Sequence, residues 1–255
     1  YSSSDIPIKK TKPTLPLKIS TPKSNKKIAI CFSGEIRDLE RTKEYWGNLI
    51  KEYDMDVYAS FWDVENEELD DTFGVSVYKT KSKKYLVIGS FSTLTTEYQI
   101  LNADTPNGDF KIFQARTRGL EYGISHYNSD FYIVSNADGA KNFKLSKTPD
   151  SHTQKEYWVD VIPHRESVLL EDIEIFKDFL VISERENGLN QIKISRWDGT
   201  DSYYLPFESE TYTAYTLSNI DFDTNILRYG YQSLTTPSSV IDFDMLTKSK
   251  TVKKE

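Results

Sequence analysis

Residues 129–145 read SDFYIVSNADGAKNFKL, and residues 177–194 read KDFLVISERENGLNQIKI. Both stretches have a short polar lead, an aromatic and aliphatic run, a polar turn with a glycine, and a second alternating run. The same order of parts recurs in KKYLVIGSFSTLTTEYQIL at 83–101 and in TNILRYGYQSLTTPSSVIDF at 224–243. Two short apolar runs joined by a polar turn are typical of a β-hairpin, so one hairpin-based unit is used four times.

The spacing of these units is regular. The first bulky residue of each central run marks it: Tyr85, Phe131, Phe179 and Leu227. These positions are 46, 48 and 48 residues apart, within the roughly 40 to 50 residues that one propeller blade occupies. An outer alternating run precedes each central run, and a short final run follows each unit. Each unit therefore supplies four strands.

The fold class follows from this repeat. We predict a mainly β fold, a partial β-propeller of about four four-stranded antiparallel blades over residues 68–255. Central runs such as FYIVS and FLVIS are apolar on both faces, as expected of strands that pack between two neighbouring sheets. A flat β-sandwich offers similar strands but does not require the repeat.

The N-terminal part has a different pattern. Residues 1–25 are rich in Ser, Thr, Pro and Lys, which predicts a flexible linker or tail. Over 26–67, a short apolar run that ends at Gly34 is followed by a segment with helical spacing and then by the run MDVYASFWD. Strand, helix and strand predict a short βαβ unit, which cannot bury both faces of its strands alone.

The composition excludes several functions. The net charge of −7 argues against a nucleic-acid surface, and no apolar run is long enough to cross a bilayer. The single cysteine, Cys31, fits a reducing compartment, so we expect a cytoplasmic protein. The acidic turns do not have the spacing of a calcium loop. No metal site and no cofactor are therefore predicted.

Whole blades of this sequence resemble oligopeptidase B, of the prolyl oligopeptidase family of serine peptidases. The resemblance lies in four stretches, at 70–101, 131–145, 162–189 and 227–245, and extends over about 68–254. It implies a seven-bladed propeller that caps an α/β-hydrolase domain, which cleaves short peptides after Lys or Arg. The chain looks like the later blades, so its expected role is to gate substrates. The expected partners are short peptides and the hydrolase domain.

The chain itself lacks the sequence of a catalytic serine. A hydrolase of this type needs a G-x-S-x-G turn, whereas GVSVY and GISHY carry Tyr in place of the second Gly. His126, His152 and His164 suggest no catalytic triad. We predict no catalytic residue, and we expect the chain to be inactive without a hydrolase domain.

A second resemblance covers about 26–67. IAICFSGEIRDLERTKEYW followed by DVYASFWD is similar to the start of certain glycosyltransferase-like proteins. It implies that Gly34 and Arg37 approach a nucleotide phosphate and that Asp63 holds a sugar or ribose hydroxyl. The alternative is that Gly34 makes a turn and the two charged residues form surface pairs. The two resemblances meet at FWDVENEELDD, as in a natural fusion, a rearranged gene or an assembly artefact.

One polar cluster precedes an apolar strand of the propeller, in IPHRESVLLED. Arg165 and Glu166 are candidates for contact with the hydrolase domain, and an ordinary surface ion pair is the alternative. Two other functions stay open for the whole chain. One is sugar transfer by the N-terminal segment, and the other is a non-enzymatic propeller that binds peptides or proteins.

Overall fold

A computed structural model describes residues 74–254 in full, and residues 29–35 and 56–62 as backbone strands. Most of these residues form β-strands, which assemble into four sheets. The first sheet runs in the spatial order β1 (Ala29–Glu35), β2 (Asp56–Trp62), β3 (Gly74–Lys79), β4 (Tyr85–Ser92), β5 (Thr95–Asn102) and β6 (Lys111–Ile112). β1 and β2 are parallel, and every later pair in this sheet is antiparallel.

Three four-stranded antiparallel sheets follow. The second contains β7 (Tyr122–Tyr127), β8 (Asp130–Ser135), β9 (Lys144–Pro149) and β10 (Val159–Ile162). The third contains β11 (Val168–Ile175), β12 (Phe179–Glu186), β13 (Leu189–Arg196) and β14 (Tyr203–Tyr204). The fourth contains β15 (Tyr212–Thr216), β16 (Ile226–Ser233), β17 (Ser239–Asp244) and β18 (Ser249–Lys254). Two short 3-10 turns, Ala137–Gly139 and Lys155–Tyr157, lie in the second unit.

The strand ends follow local sequence signals. Between β12 and β13 the turn is Asn187–Gly188, with φ of 50° and 80°. Both residues take the left-handed conformation that a two-residue hairpin turn requires, and Asn and Gly are the residues that adopt it most readily. The second, third and fourth sheets thus each form from consecutive strands of one sequence unit, as the repeat predicts, whereas the first sheet adds β1 and β2 to its unit.

Each sheet packs its face on the next sheet, and three apolar clusters fill the interfaces. The first and second sheets enclose a cluster that includes Val87, Phe113 and Phe131. Leu145 and Ile182 belong to the cluster between the second and third sheets. A third cluster lies between the third and fourth sheets. Its members include Phe179, Val181, Ile194, Leu227, Tyr229 and Phe243. This face-to-face series confirms the predicted partial propeller, and the sheets that the described residues form do not close into a ring.

The fourth sheet differs from the prediction that central strands are apolar on both faces. Along β16, Leu227 and Tyr229 are buried against the third sheet, whereas Ile226 and Arg228 are exposed. Arg228 Nε donates a hydrogen bond of 2.7 Å to Asp242 Oδ1 on this outer face. The difference arises because only one neighbouring sheet packs against the fourth sheet within the described residues.

The first strand of each unit lies on the inner side of the stack, which corrects the prediction of an outer run. It is the edge strand in the second, third and fourth sheets, whereas β3 of the first sheet lies between β2 and β4. Residues 78–83, 124–126, 174–175 and 218–223 come from the four successive units and line one cavity. These first strands therefore converge on a common axis. The short final strands β6, β10, β14 and β18 form the opposite edges.

The N-terminal predictions are described only in part. β1 and β2 pair in parallel, as a βαβ unit requires, and β2 also pairs with β3. Residues 36–55, which include the predicted helix, lie outside the described residues, as do residues 1–25 and the boundary at residues 67 and 68. Within the described part of the chain, no helix has the length and apolarity needed to cross a membrane.

Candidate functional site

The cavity on the common axis has a volume of about 590 Å³ and is the candidate site. Its position follows from the fold, because the turn after each first strand lies at the same end of the stacked sheets. The end of β3 contributes Lys79, and the β3–β4 turn contributes Lys81 and Lys83. On the third and fourth sheets the lining residues include Glu174 and Asp221. The walls therefore carry opposite charges.

An ion pair crosses the cavity base. Lys81 Nζ lies 2.8 Å from Glu174 Oε1, which joins the first sheet to the third. The same ammonium group lies 3.7 Å from the centroid of the Phe176 ring. Burial lowers the pKa of Lys81 despite the attraction of Glu174, and burial likewise raises the pKa of Glu174. Desolvation thus offsets much of the attraction in this pair.

A serine, a histidine and an aspartate meet beside the cavity. His126 Nδ1 lies 2.8 Å from Ser82 Oγ, and His126 Nε2 lies 3.8 Å from Asp150 Oδ2. The carboxylate of Asp150 also accepts hydrogen bonds from Lys84 Nζ at 2.6 Å and from the Tyr85 hydroxyl at 3.1 Å. These residues come from the first two sheets, and Ser82 lines the cavity.

This arrangement does not create a nucleophile. Burial lowers the pKa of His126 to about 4, so the imidazole is a poor base for the hydroxyl of Ser82. The distance of 3.8 Å to Asp150 is too long for the hydrogen bond that orients a catalytic histidine. The rings of Tyr85 and Phe131 lie 5.0 and 4.9 Å from the imidazole and enclose it. The cluster instead forms polar contacts that hold the first and second sheets together.

The buried imidazole predicts a pH dependence of stability. The pKa of His126 falls from 6.5 to about 4 on folding, so below pH 6.5 the unfolded chain binds a proton that the folded chain does not. We expect the free energy of unfolding to decrease from pH 6.5 to pH 4, by at most about 3 kcal/mol. Urea unfolding at several pH values would measure this.

Two variants make the pH test specific. His126→Gln removes the titrating group, so its stability should change less between pH 6.5 and pH 4 than that of the wild type. His152→Gln alters an exposed side chain and should retain the wild-type dependence. Equal pH dependence in wild type and His126→Gln would contradict the assignment.

Arg165 lies at the opposite end of the third sheet and pairs with Glu184 rather than with Glu166. Arg165 Nη2 hydrogen-bonds Glu184 Oε1, and the Tyr204 hydroxyl donates a bond of 2.9 Å to Glu184 Oε2. Glu184 is only 1% exposed, so this carboxylate depends on both donors. Glu166 has a side chain that is 93% exposed, 3.9 Å from His164 Nδ1.

The other predicted site residues are placed only in part. Gly34 is the penultimate residue of β1 and lies opposite Phe61 of β2, whereas Arg37 and Asp63 lie outside the described residues. Among the side chains of residues 74–254, no group of three or more His, Cys, Asp or Glu is placed to hold a metal ion.

Stacked antiparallel sheets around an axial cavity define a propeller, and comparison with known proteins identifies its family. Residues 64–255 match the family model described as "Prolyl oligopeptidase, N-terminal beta-propeller domain". The chain belongs to the prolyl oligopeptidase family, as part of its N-terminal propeller domain. This confirms the resemblance that the blades carry.

Individual relatives agree with this assignment. Dipeptidyl aminopeptidase BI of Pseudoxanthomonas mexicana is 34% identical over 181 residues, covering 71% of this chain and 25% of the relative. Protease 2 of Moraxella lacunata is 32% identical over 193 residues, covering 74% of this chain and 27% of the relative. The chain therefore spans about a quarter of the length of these curated relatives.

Solved structures show the same fold. Oligopeptidase B from Trypanosoma brucei, with covalently bound antipain, superposes with a TM-score of 0.65 and 27% identity, covering 71% of this chain and 27% of that structure. Oligopeptidase B from Leishmania major superposes with a TM-score of 0.64 and 25% identity, again covering 71% of this chain and 27% of that structure. The four sheets thus correspond to part of a larger peptidase.

Proposed function

We propose that this chain is part of the substrate-gating propeller of an oligopeptidase B-like serine endopeptidase. In this proposal an α/β-hydrolase domain supplies the nucleophile and cleaves short peptides after Lys or Arg. The propeller segment binds no cofactor and admits peptides to that domain. The observation that carries the proposal is the family match over residues 64–255.

The geometry supports a gating role rather than catalysis by these residues. The sequence contains no G-x-S-x-G turn, and the serine beside His126 lacks an effective base. The stacked sheets instead line an axial cavity of about 590 Å³, and in this proposal the remaining blades of a complete propeller close a wall around it. Such a wall excludes folded proteins by size, and extended peptides are small enough to pass it.

The gene beyond residue 255 provides the first test. We expect it to continue in frame through a hydrolase-length segment that contains a G-x-S-x-G turn. The complete product should cleave arginyl and lysyl peptides and leave folded proteins of the same sequence content intact. A stop codon directly after residue 255, with no peptidase activity in the product, would support a non-enzymatic binding propeller instead.

Arg165 and Glu166 are proposed to lie at the contact with the hydrolase domain. Glu166 is almost fully exposed, and the Arg165 side chain is 32% exposed while it pairs with Glu184. Charge reversal of Glu166 in the complete peptidase should change activity without changing the stability of the propeller. An unchanged activity for Glu166→Lys would remove this residue from the proposed contact.

The N-terminal segment supports a second candidate function, sugar-nucleotide binding. The parallel register of β1 and β2 places Gly34 near the carboxyl end of the pair, which is where parallel sheets bind ligands. We propose that Gly34, Arg37 and Asp63 contact a UDP- or GDP-sugar. Calorimetry with each ligand tests this, and absence of binding at millimolar concentration would exclude it.

The cytoplasm is the proposed location of the protein. The single cysteine supports this proposal, because disulfide bonds are rare in the reducing cytoplasm.

A further inference from the structure

The axial cavity carries charges that the protein leaves unpaired. Lys79 at the end of β3 and Lys83 on the β3–β4 turn line it, and within residues 74–254 neither side chain forms a hydrogen bond or an ion pair. The two other lysines of this turn are already paired, Lys81 with Glu174 and Lys84 with Asp150. Two positive charges of this wall are therefore available to an anionic group.

The lining residues from the fourth sheet include an exposed acidic side chain. Asp221 follows the first strand of the fourth sheet, lines the cavity and is exposed. Within the fully described blades it forms no hydrogen bond and no ion pair, although its charge acts on Lys81. Asp223, at the same wall, pairs with Lys177 at 2.8 Å. The carboxylate of Asp221 thus lines the cavity with no direct hydrogen bond or ion pair among the described residues.

Apolar residues also line the cavity. Ile124 and Ile175 are lining residues and are themselves buried. Ile220 also lines the cavity but is 58% exposed, which leaves an aliphatic side chain without cover. An apolar group on a bound molecule would cover this side chain. Removing both apolar surfaces from water would favour binding. The volume of about 590 Å³ is in the range of small-ligand pockets.

We propose that the axial cavity binds short zwitterionic peptides, such as dipeptides. The peptide carboxylate contacts Lys79 and Lys83, the terminal ammonium contacts Asp221, and an apolar side chain packs against Ile220. Separated charges of both signs favour a ligand with a free amino end and a free carboxyl end over an inorganic anion. The choice of a peptide among zwitterions rests on the proposed peptidase function, whereas the site rests on the cavity.

Calorimetry with capped peptides tests the proposal on the 255-residue chain. The probes are Ala-Phe, N-acetyl-Ala-Phe and Ala-Phe-amide. We expect Ala-Phe to bind, and each cap to weaken binding about tenfold because one charged hydrogen bond is lost. Equal binding of all three peptides would overturn the proposal, and so would absence of Ala-Phe binding at about 10 mM, roughly ten times a Kd of 1 mM. Inorganic phosphate that binds as tightly as Ala-Phe would also overturn it.

Variants assign the charged contacts. Lys79→Gln combined with Lys83→Gln should abolish the preference for the free carboxylate but keep the preference for the free amine. Asp221→Asn should have the reverse effect. These side chains have no partners in the blades, so the variants should fold, which circular dichroism can verify. Lys141→Gln, an exposed change on the β8–β9 hairpin at the other end of the blades, should change neither preference.

The two proposals fail in different ways. Binding is measured without peptidase activity, so the result does not depend on whether a hydrolase domain follows residue 255. A complete peptidase whose propeller binds no dipeptide would remove the cavity proposal alone. A chain that binds Ala-Phe with both end preferences, but belongs to no peptidase, would remove the gating proposal alone.

Discussion

Replacing Arg165 with alanine should lower the free energy of unfolding by about 3 to 5 kcal/mol. The reason is that Glu184 is 1% exposed and would lose the cation that balances its buried charge. The hydrogen bond from the Tyr204 hydroxyl would remain, at 2.9 Å, but a neutral donor cannot replace a guanidinium. Urea or thermal unfolding of wild type and variant measures the difference.

A second arginine in the same sheet is the matched control. Arg185 Nη2 lies 2.6 Å from Glu171 Oε1, but the two side chains are 48% and 26% exposed. Because water screens this pair, Arg185→Ala should cost less than about 1 kcal/mol. Adding Glu184→Gln to Arg165→Ala should recover part of the loss, since a neutral amide replaces the unpaired carboxylate. Equal losses for Arg165→Ala and Arg185→Ala would contradict the buried pair.

Phe131→Ala should cost a similar amount, about 3 to 5 kcal/mol. Phe131 has no exposed surface, and its ring centroid lies 4.9 Å from those of Phe113 and His126 and 5.1 Å from that of Tyr85. Truncation leaves a cavity where the first and second sheets meet. Chemical denaturation measures the loss as a lower midpoint at an unchanged slope.

Two other variants show whether the cost comes from the cavity. Phe131→Leu keeps most of the buried volume and should cost clearly less than Phe131→Ala. Leu234→Ala removes an apolar side chain that is 95% exposed, so stability should change by less than about 0.5 kcal/mol. A loss below about 1 kcal/mol for Phe131→Ala would show that the two sheets do not pack on each other in this way.

The sequence predicts the blades well because the repeat has a physical cause. Each unit must bury its central strand against a neighbouring sheet, so the anchors Phe131, Phe179 and Leu227 recur at one spacing and are all fully buried. The first anchor, Tyr85, is only partly buried because its hydroxyl reaches Asp150. The strands therefore lie where the alternating runs predict them.

The orientation of each sheet could not be read from the same pattern. An alternating run has the same period at the inner and the outer edge, so the first strands were predicted to be outer. Contacts between units decide the matter, as in the pair of Lys81 with Glu174, which are 93 residues apart. The repeat does contain a signal for the location of the cavity. Equivalent turns of successive blades lie at the same end of a propeller, so the lining residues are at equivalent positions of the four units.

The polar clusters were beyond sequence reasoning for a related reason. Ser82 and His126 are 44 residues apart, and Arg165 and Glu184 are 19 apart. Neither pair forms a local motif. Sheet register and packing bring these residues together. Arg165 therefore pairs with the distant Glu184 and not with Glu166, its neighbour in the sequence.

Zero-length carbodiimide cross-linking tests the radial arrangement most directly. This reagent joins an amine and a carboxylate only when they are in contact, and peptide mapping by mass spectrometry identifies the joined residues. We predict a cross-link between Lys81 and Glu174, whose charged atoms lie 2.8 Å apart across the axis. Lys84 and Asp150, 2.6 Å apart on adjacent sheets, are the internal control. The Lys84–Asp150 link without any Lys81–Glu174 link would contradict convergence of the first and third sheets on one axis.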